Sequence, residues 1–223
     1  MTLHSLSIPE AFAGTIAALL LLVQLALFRS VVLSEIVALY AVQSAFVSFI
    51  CLATGLAGGA WDLVALAVLT FFFKVIVLPT YIRRLLREIS SRVEIPSRIN
   101  VMLSLMIAAA FVGVAFLVAA QLPLKGGAFL PSADLATTLS IVFLGFLVAI
   151  LRPNAPTQVI GFLTLENGVF FGAVTLAPGL PFIVGVLVLF DVLVAVVVFS
   201  VLVRVLVTLR ATAATTELRE LIG

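Results

Sequence analysis

Charge is scarce in this chain: 10% of its 223 residues are Asp, Glu, Lys or Arg, against 64% hydrophobic residues and a mean hydropathy of +1.40. Too little polar surface remains for a soluble domain, and the composition is that of an integral membrane protein. Cysteine is nearly absent. The single Cys51 lies inside an apolar run, which excludes a disulfide within the chain and a paired-thiol metal site. With one histidine, His4, no cofactor cage can be assembled from this chain, so no cofactor is expected in it and any redox centre would belong to partners. A Gly-rich phosphate loop, a nucleophile elbow and a metal-binding motif are absent as well. The chain therefore offers no apparatus for making or breaking covalent bonds in a substrate, and nucleic acid is not among the expected partners.

Apolar sequence is what the chain has in plenty. Runs of about 17–25 residues bounded by charge or turn residues predict seven transmembrane helices, at roughly 9–28, 32–55, 61–82, 100–122, 135–151, 157–177 and 181–207. Arg29-Ser30, Gly58-Gly59, the charged stretch 83–98, Pro123 to Pro131, Arg152-Pro153 and Pro178-Gly179-Leu180-Pro181 separate them. Pro156 and Pro181 suit helix openings, where a missing N–H is harmless. No segment has the composition of a separate soluble unit, so 1–223 reads as one all-α membrane domain. The first run is apolar like the core of a signal segment, but it is long, lacks a basic flank and carries Glu10, so it is expected to remain as a span. With seven spans the ten arginines fall on one side of the membrane and Lys125 on the other. The arginine side is the cytoplasm by the positive-inside rule, which places the N-terminus outside and the C-terminus inside.

Four strongly polar side chains stand near the centres of these spans: Gln43, Lys74, Glu166 and Asp191. A centred charge costs about 2.5–3.5 kcal/mol on insertion scales, so groups of this kind mark ion paths more often than they decorate lipid-facing surfaces. They also recur in a pattern. A cytoplasmic arginine, Arg29 or Arg152, precedes a helix with one central amide or acid, Gln43 or Glu166. The next helix carries one central charge, Lys74 or Asp191. Two parallel three-helix repeats are thus expected, one over about 9–85 and one over about 135–209, joined by a linking helix over about 100–122. Counting along the helices puts each of the four polar groups roughly 14–20 Å from the surface at which its helix enters, close to mid-membrane.

Burial in a low dielectric disfavours the charged form of each group. A lysine facing a carboxylate there can exist with it as an ion pair or as neutral amine and acid. Glu166 and Asp191 are accordingly candidate proton carriers, with Lys74 as their tuning partner. A static ion pair that only fixes packing is the alternative reading for Lys74, and interhelical glue the alternative for Gln43. Pro79 removes the hydrogen bond to the carbonyl of Val75, next to Lys74, so a kink or an open carbonyl is expected there. Gly168 and Gly172 have the spacing that admits a close helix neighbour. Ser44, Ser48 and Ser200 could extend a polar chain, although serines in membrane helices commonly bond to their own backbone. Trp61 suits a membrane interface, and Phe71, Phe72 and Phe73 suit lipid contact or packing.

The segment from Gln158 through Ile160-Gly161 to Leu165-Glu166-Asn167-Gly168 forms one part of a resemblance. The others are Asp191 one helix later, Tyr40 with Gln43-Ser44, and Phe73-Lys74-Val75 before Pro79. Together they resemble the E component of hydrogenase-4, a membrane subunit of group 4 nickel-iron hydrogenase and formate hydrogenlyase-like complexes. The likeness runs over most of the chain. Its second half is also similar to the small K subunit of respiratory complex I and the C subunit of Mrp-type antiporters. The resemblance implies a non-catalytic, multi-pass subunit of a bacterial or archaeal cytoplasmic membrane that helps carry protons or sodium ions. Its partners would be antiporter-like and other membrane subunits and a soluble redox module. Glu166 matches the first key carboxylate of the K-like subunits; Asp191 stands where they have a second glutamate, which reaches farther. The other roles consistent with these residues are a purely structural interface subunit, an Mrp-type antiporter subunit and an autonomous small transporter.

Overall fold

In a computed structural model of the chain, which describes residues 10–89, 100–122, 132–152 and 155–176 together with 196, 197 and 200, every regular element is a helix. The elements are α1 (Glu10–Arg29), α2 (Leu33–Gly58) and α3 (Trp61–Thr70), then a π-helical segment (Phe71–Val77) continued by α4 (Leu78–Ile89). After these come α5 (Val101–Gln121), α6 (Ser132–Leu151) and α7 (Ala155–Leu176). Five helices among the described residues are long and apolar enough to cross a membrane, and α1 adds a shorter apolar stretch, Gly14–Arg29. The described residues are thus all-helical, and the apolar helices are compatible with a bilayer. The expected span 181–207, and Asp191 within it, lies largely outside the described residues.

The ends of the helices follow from local chemistry. Asn100 caps α5 by accepting the N–H of Met102 at 3.2 Å. Helix α2 runs one turn past its expected end at 55, stopping where Gly59 takes φ 62° in the left-handed region. Ala60 N–H then closes on Gly55 O at 2.9 Å, a turn that a residue with a side chain enters only under strain. The third predicted span, 61–82, is one continuous rod from Trp61 to Ile89, because the π segment joins α3 to α4 without a break. Trp61, 75% exposed at its start, has the setting of an interfacial indole.

Packing is tightest between α6 and α7. A methyl group placed on Gly145 would sit 2.7 Å from the backbone nitrogen of Leu165, and one on Gly161 would sit 2.8 Å from that of Ala149. The two backbones touch because neither glycine has a side chain. Farther along, Gly168 admits Ile141, and Gly172 admits Thr138, as its spacing with Gly168 anticipates. Helix α1 lies against α2 and α6, and α2 lies against α7. The C-terminal ends of α1 and α6 come together, since Arg152 Nη2 donates to the carbonyls of Phe28 at 2.6 Å and Ser30 at 2.9 Å. Two apolar layers fill the interior, one around Tyr40, Ile82 and Leu144, the other around Val47, Leu66 and Phe170. The polar groups described next lie between residues of these two layers along α2 and α7. Helix α5 packs on α6 and α1 and leaves most of its surface, including Met102, Met106 and Leu117, facing outward.

Candidate functional site

Lys74 is carried by the π segment. In this segment Leu78 N–H bonds to Phe73 O, five residues back, so the turn is wider than an α turn. Pro79, just beyond, has no N–H to offer the carbonyl of Val75 and so favours a departure from the α ladder. A widened turn replaces the expected kink. It turns Phe71 and Phe72 outward, 44% and 51% exposed, while Lys74 is wholly buried. The lysine is the one residue of the segment whose side chain is buried.

Three helices meet the ammonium or its partners. Lys74 Nζ forms an ion pair and hydrogen bond with Glu166 Oε1 of α7, and donates a second bond to Asn167 Oδ1 at 3.2 Å. Asn167 Nδ2 donates to Ser44 Oγ at 2.9 Å and Gln43 Oε1 at 3.3 Å, both on α2. Gln43 Nε2 donates to Gln24 Oε1 of α1 at 2.7 Å. Gln24, Gln43, Ser44, Lys74 and Asn167 are all buried, and the Glu166 side chain retains 17% exposure. Gln43 stands ten residues into α2 and Glu166 eleven into α7. At 1.5 Å of rise per residue that is roughly 15–17 Å from the start of each helix, about half the thickness of the hydrocarbon.

Physical chemistry decides what this array can do. Removing an ammonium and a carboxylate from water costs several kcal/mol each, and their attraction offsets this only when the remaining polar atoms are satisfied. Asn167 supplies that satisfaction on the lysine side, using its oxygen and both amino hydrogens at once. The proton shared between Lys74 and Glu166 can reside on either, as ammonium with carboxylate or amine with acid. Glu166 is the member of the pair whose side chain keeps some exposure, while its Oε2 is buried.

Three of the four polar residues singled out from the sequence, Gln43, Lys74 and Glu166, therefore converge on one network. Gln24, Ser44 and Asn167 complete it. Gln24 is an amide inside an apolar span as much as Gln43 is, and that signal alone could have found it. The remaining hydroxyls behave as membrane-helix hydroxyls commonly do. Ser48 donates to Ser44 O at 2.8 Å and Ser200 to Val196 O at 2.6 Å, while Ser200 also pairs with Tyr81 OH. Arg152, expected as a loop residue of the cytoplasmic side, is buried against the end of α1, and burial pulls its guanidinium below the usual arginine range.

Over 191 residues the chain is 31% identical to the Uncharacterized protein Rv0085 of Mycobacterium tuberculosis, a match covering 85% of this chain and 86% of that protein. No family model matches the chain. No solved structure matches it.

Proposed function

We propose, for a chain that belongs to the family of that mycobacterial protein, the role of a non-catalytic membrane subunit that helps move protons, or sodium ions, through a multi-subunit redox-driven complex. The observation that carries this reading is the Lys74–Glu166 pair, buried halfway along its helices and tied by Asn167 and Gln43 into a network spanning α1, α2, α7 and the π segment. A π turn at a buried charge is a recurrent mark of function, and an exchangeable acid–amine pair in the hydrocarbon is a place for a proton to pause.

The repeat reading supports the same role. Gln43 follows Arg29 by fourteen residues, and Glu166 follows Arg152 by fourteen. The corresponding residues Ser44 and Asn167 are hydrogen-bonded to each other where α2 meets α7. Two parallel three-helix units, with the middle helix of each at their contact and α5 as the link, account for both facts. The seventh span then brings Asp191 to the second unit as Lys74 is brought to the first, making it the second carrier. The resemblance to the E component of hydrogenase-4 supplies the partners: antiporter-like membrane subunits and a soluble redox module, in a cytoplasmic membrane with the N-terminus outside.

Glu166→Gln and Asp191→Asn, each introduced into the intact complex, test the carrier roles. The expected result is normal assembly with proton pumping reduced. Normal pumping in both variants refutes the carriers, and loss of assembly in both assigns the chain a structural role instead. Co-purification with mass spectrometry separates the branches of this reading: a nickel-iron hydrogenase large subunit, a different soluble module, or antiporter-like chains alone.

A further inference from the structure

An ammonium has hydrogens to give and no lone pair, so an amide that meets it must turn its oxygen toward it. Asn167 does this, with Oδ1 facing Lys74 Nζ. Its amino group then points away and spends its hydrogens on Gln43 Oε1 and Ser44 Oγ. Gln43, accepting with oxygen, must present Nε2 to its other neighbour, and Gln24 Oε1 takes it. The three amides are therefore aligned, oxygen ends toward the lysine, and hydrogen bonds in such a row polarise one another.

The row ends badly. Gln24 Nε2 is buried and has no acceptor, a costly condition that a glutamine with any choice avoids by turning round. Gln24 has no such choice. Reversed alone, it would set its amino group against that of Gln43. Reversing both would oppose Gln43 to Asn167, and reversing all three would bring an amino group up to the ammonium. The orphaned donor on α1 is thus the far consequence of a charge on the π segment.

We propose that Gln24 is a positioning residue for Lys74, and that the amide row from Gln24 to Asn167 reverses as a unit when the pair loses the Lys74 proton to water by way of Glu166. In the first step one Nζ–H bond breaks and one O–H bond forms on the carboxylate, leaving a neutral amine and a neutral acid. The acid's O–H at first occupies the amine's one lone pair. Once Glu166 releases that proton to water, a remaining N–H of the amine donates to the carboxylate and the lone pair becomes available to Asn167, which can turn and donate to it, with Gln43 and Gln24 turning in sequence. Either orientation of the row stabilises one state of the pair, which makes the row a two-state element biased by the proton. This deepens the carrier reading and rests on it for the proton transfer.

The test needs no pumping. Thermal unfolding of the purified full-length chain is compared for wild type, Gln24→Leu, Lys74→Met and the double variant. Gln24→Leu is expected to lower the midpoint by about 2–6 °C with Lys74 present and by clearly less with Met at position 74, although no hydrogen bond joins residues 24 and 74. Equal shifts in the two backgrounds, the result for a Gln24 that only ties α1 to Gln43, overturn the proposal. A second measurement uses the unaltered chain, should Gln24→Leu not fold. Side-chain amide resonances of isotope-labelled Gln24, Gln43 and Asn167, followed by NMR through a pH titration, are expected to move together with one midpoint. A still Gln24 beside a moving Asn167, or no movement in any of the three, overturns the reversal. A coupled row in a chain whose Glu166→Gln and Asp191→Asn variants pump normally in the intact complex would refute the carrier role and leave the alignment standing.

Discussion

A buried ammonium is tolerable only beside an acid and with further acceptors for its hydrogens, and Lys74 has Glu166 as the acid and Asn167 as a second acceptor. Lys74→Met leaves the acid without its cation and should destabilise the chain by about 3–5 kcal/mol, measured by thermal unfolding in detergent. Adding Glu166→Leu to that variant removes the remaining charge and is expected to recover most of the loss, because a well-packed apolar pair of similar volume is often no worse than a buried ion pair. A double variant as unstable as Lys74→Met would mean that the pair is held by packing alone. Arg152 illustrates the other way of burying a cation. Among the described residues it has no carboxylate partner, and it donates instead to the carbonyls of Phe28 and Ser30, which end or follow α1, where the helix dipole is negative.

Among the elements, α6 and α7 are joined by the absence of side chains. Gly145→Ala or Gly161→Ala drives a methyl group into facing backbone, which cannot move aside as a side chain would, and each is expected to cost about 1–3 kcal/mol. Gly113, on the outward helix α5, has open space where its side chain would be. Gly113→Ala should therefore stabilise by about 0.5–1 kcal/mol through helix propensity alone. Denaturation midpoints of the three variants check this contrast; a uniform sign would show that the crossing of α6 and α7 is looser than described. The π segment belongs to the same scale. It is one wide turn, yet it separates two phenylalanines that face outward from a lysine that faces in.

For the whole molecule, the distribution of arginine predicts a single orientation. In a Cys51→Ala background, Ala60→Cys is expected to react with a membrane-impermeant maleimide from outside intact cells, and Ser30→Cys only after permeabilisation. The reverse labelling would invert the topology. The expected bundle was legible in large part. Six of the seven predicted spans coincide with described helices to within a turn or so, apart from the rod that continues past 82 to Ile89. Of the four polar residues, Gln43, Lys74 and Glu166 meet, and Asp191 lies outside the described residues. Gln24 carries the same signal as Gln43, an amide within an apolar run, but stands five residues before the arginine that closes its span, off the centre on which the other four were chosen.

Helix length and apolarity are local properties that match a fixed bilayer thickness, which is why the chain by itself pointed to the all-helical class and to the positions of six helices. Direction around each helix is another matter. These helices are apolar on nearly every side, because lipid and protein interior are equally suited to Leu, Val and Phe, so no amphipathic stripe declares which face turns inward. Only the tertiary structure decided that Lys74 turns away from Phe72, that Gln24 and Gln43 face each other, and that Asn167 stands between an ammonium and an amide. Those meetings depend on the close approach of α6 to α7 and on a π turn before Pro79, both of which are settled by neighbours packing against neighbours.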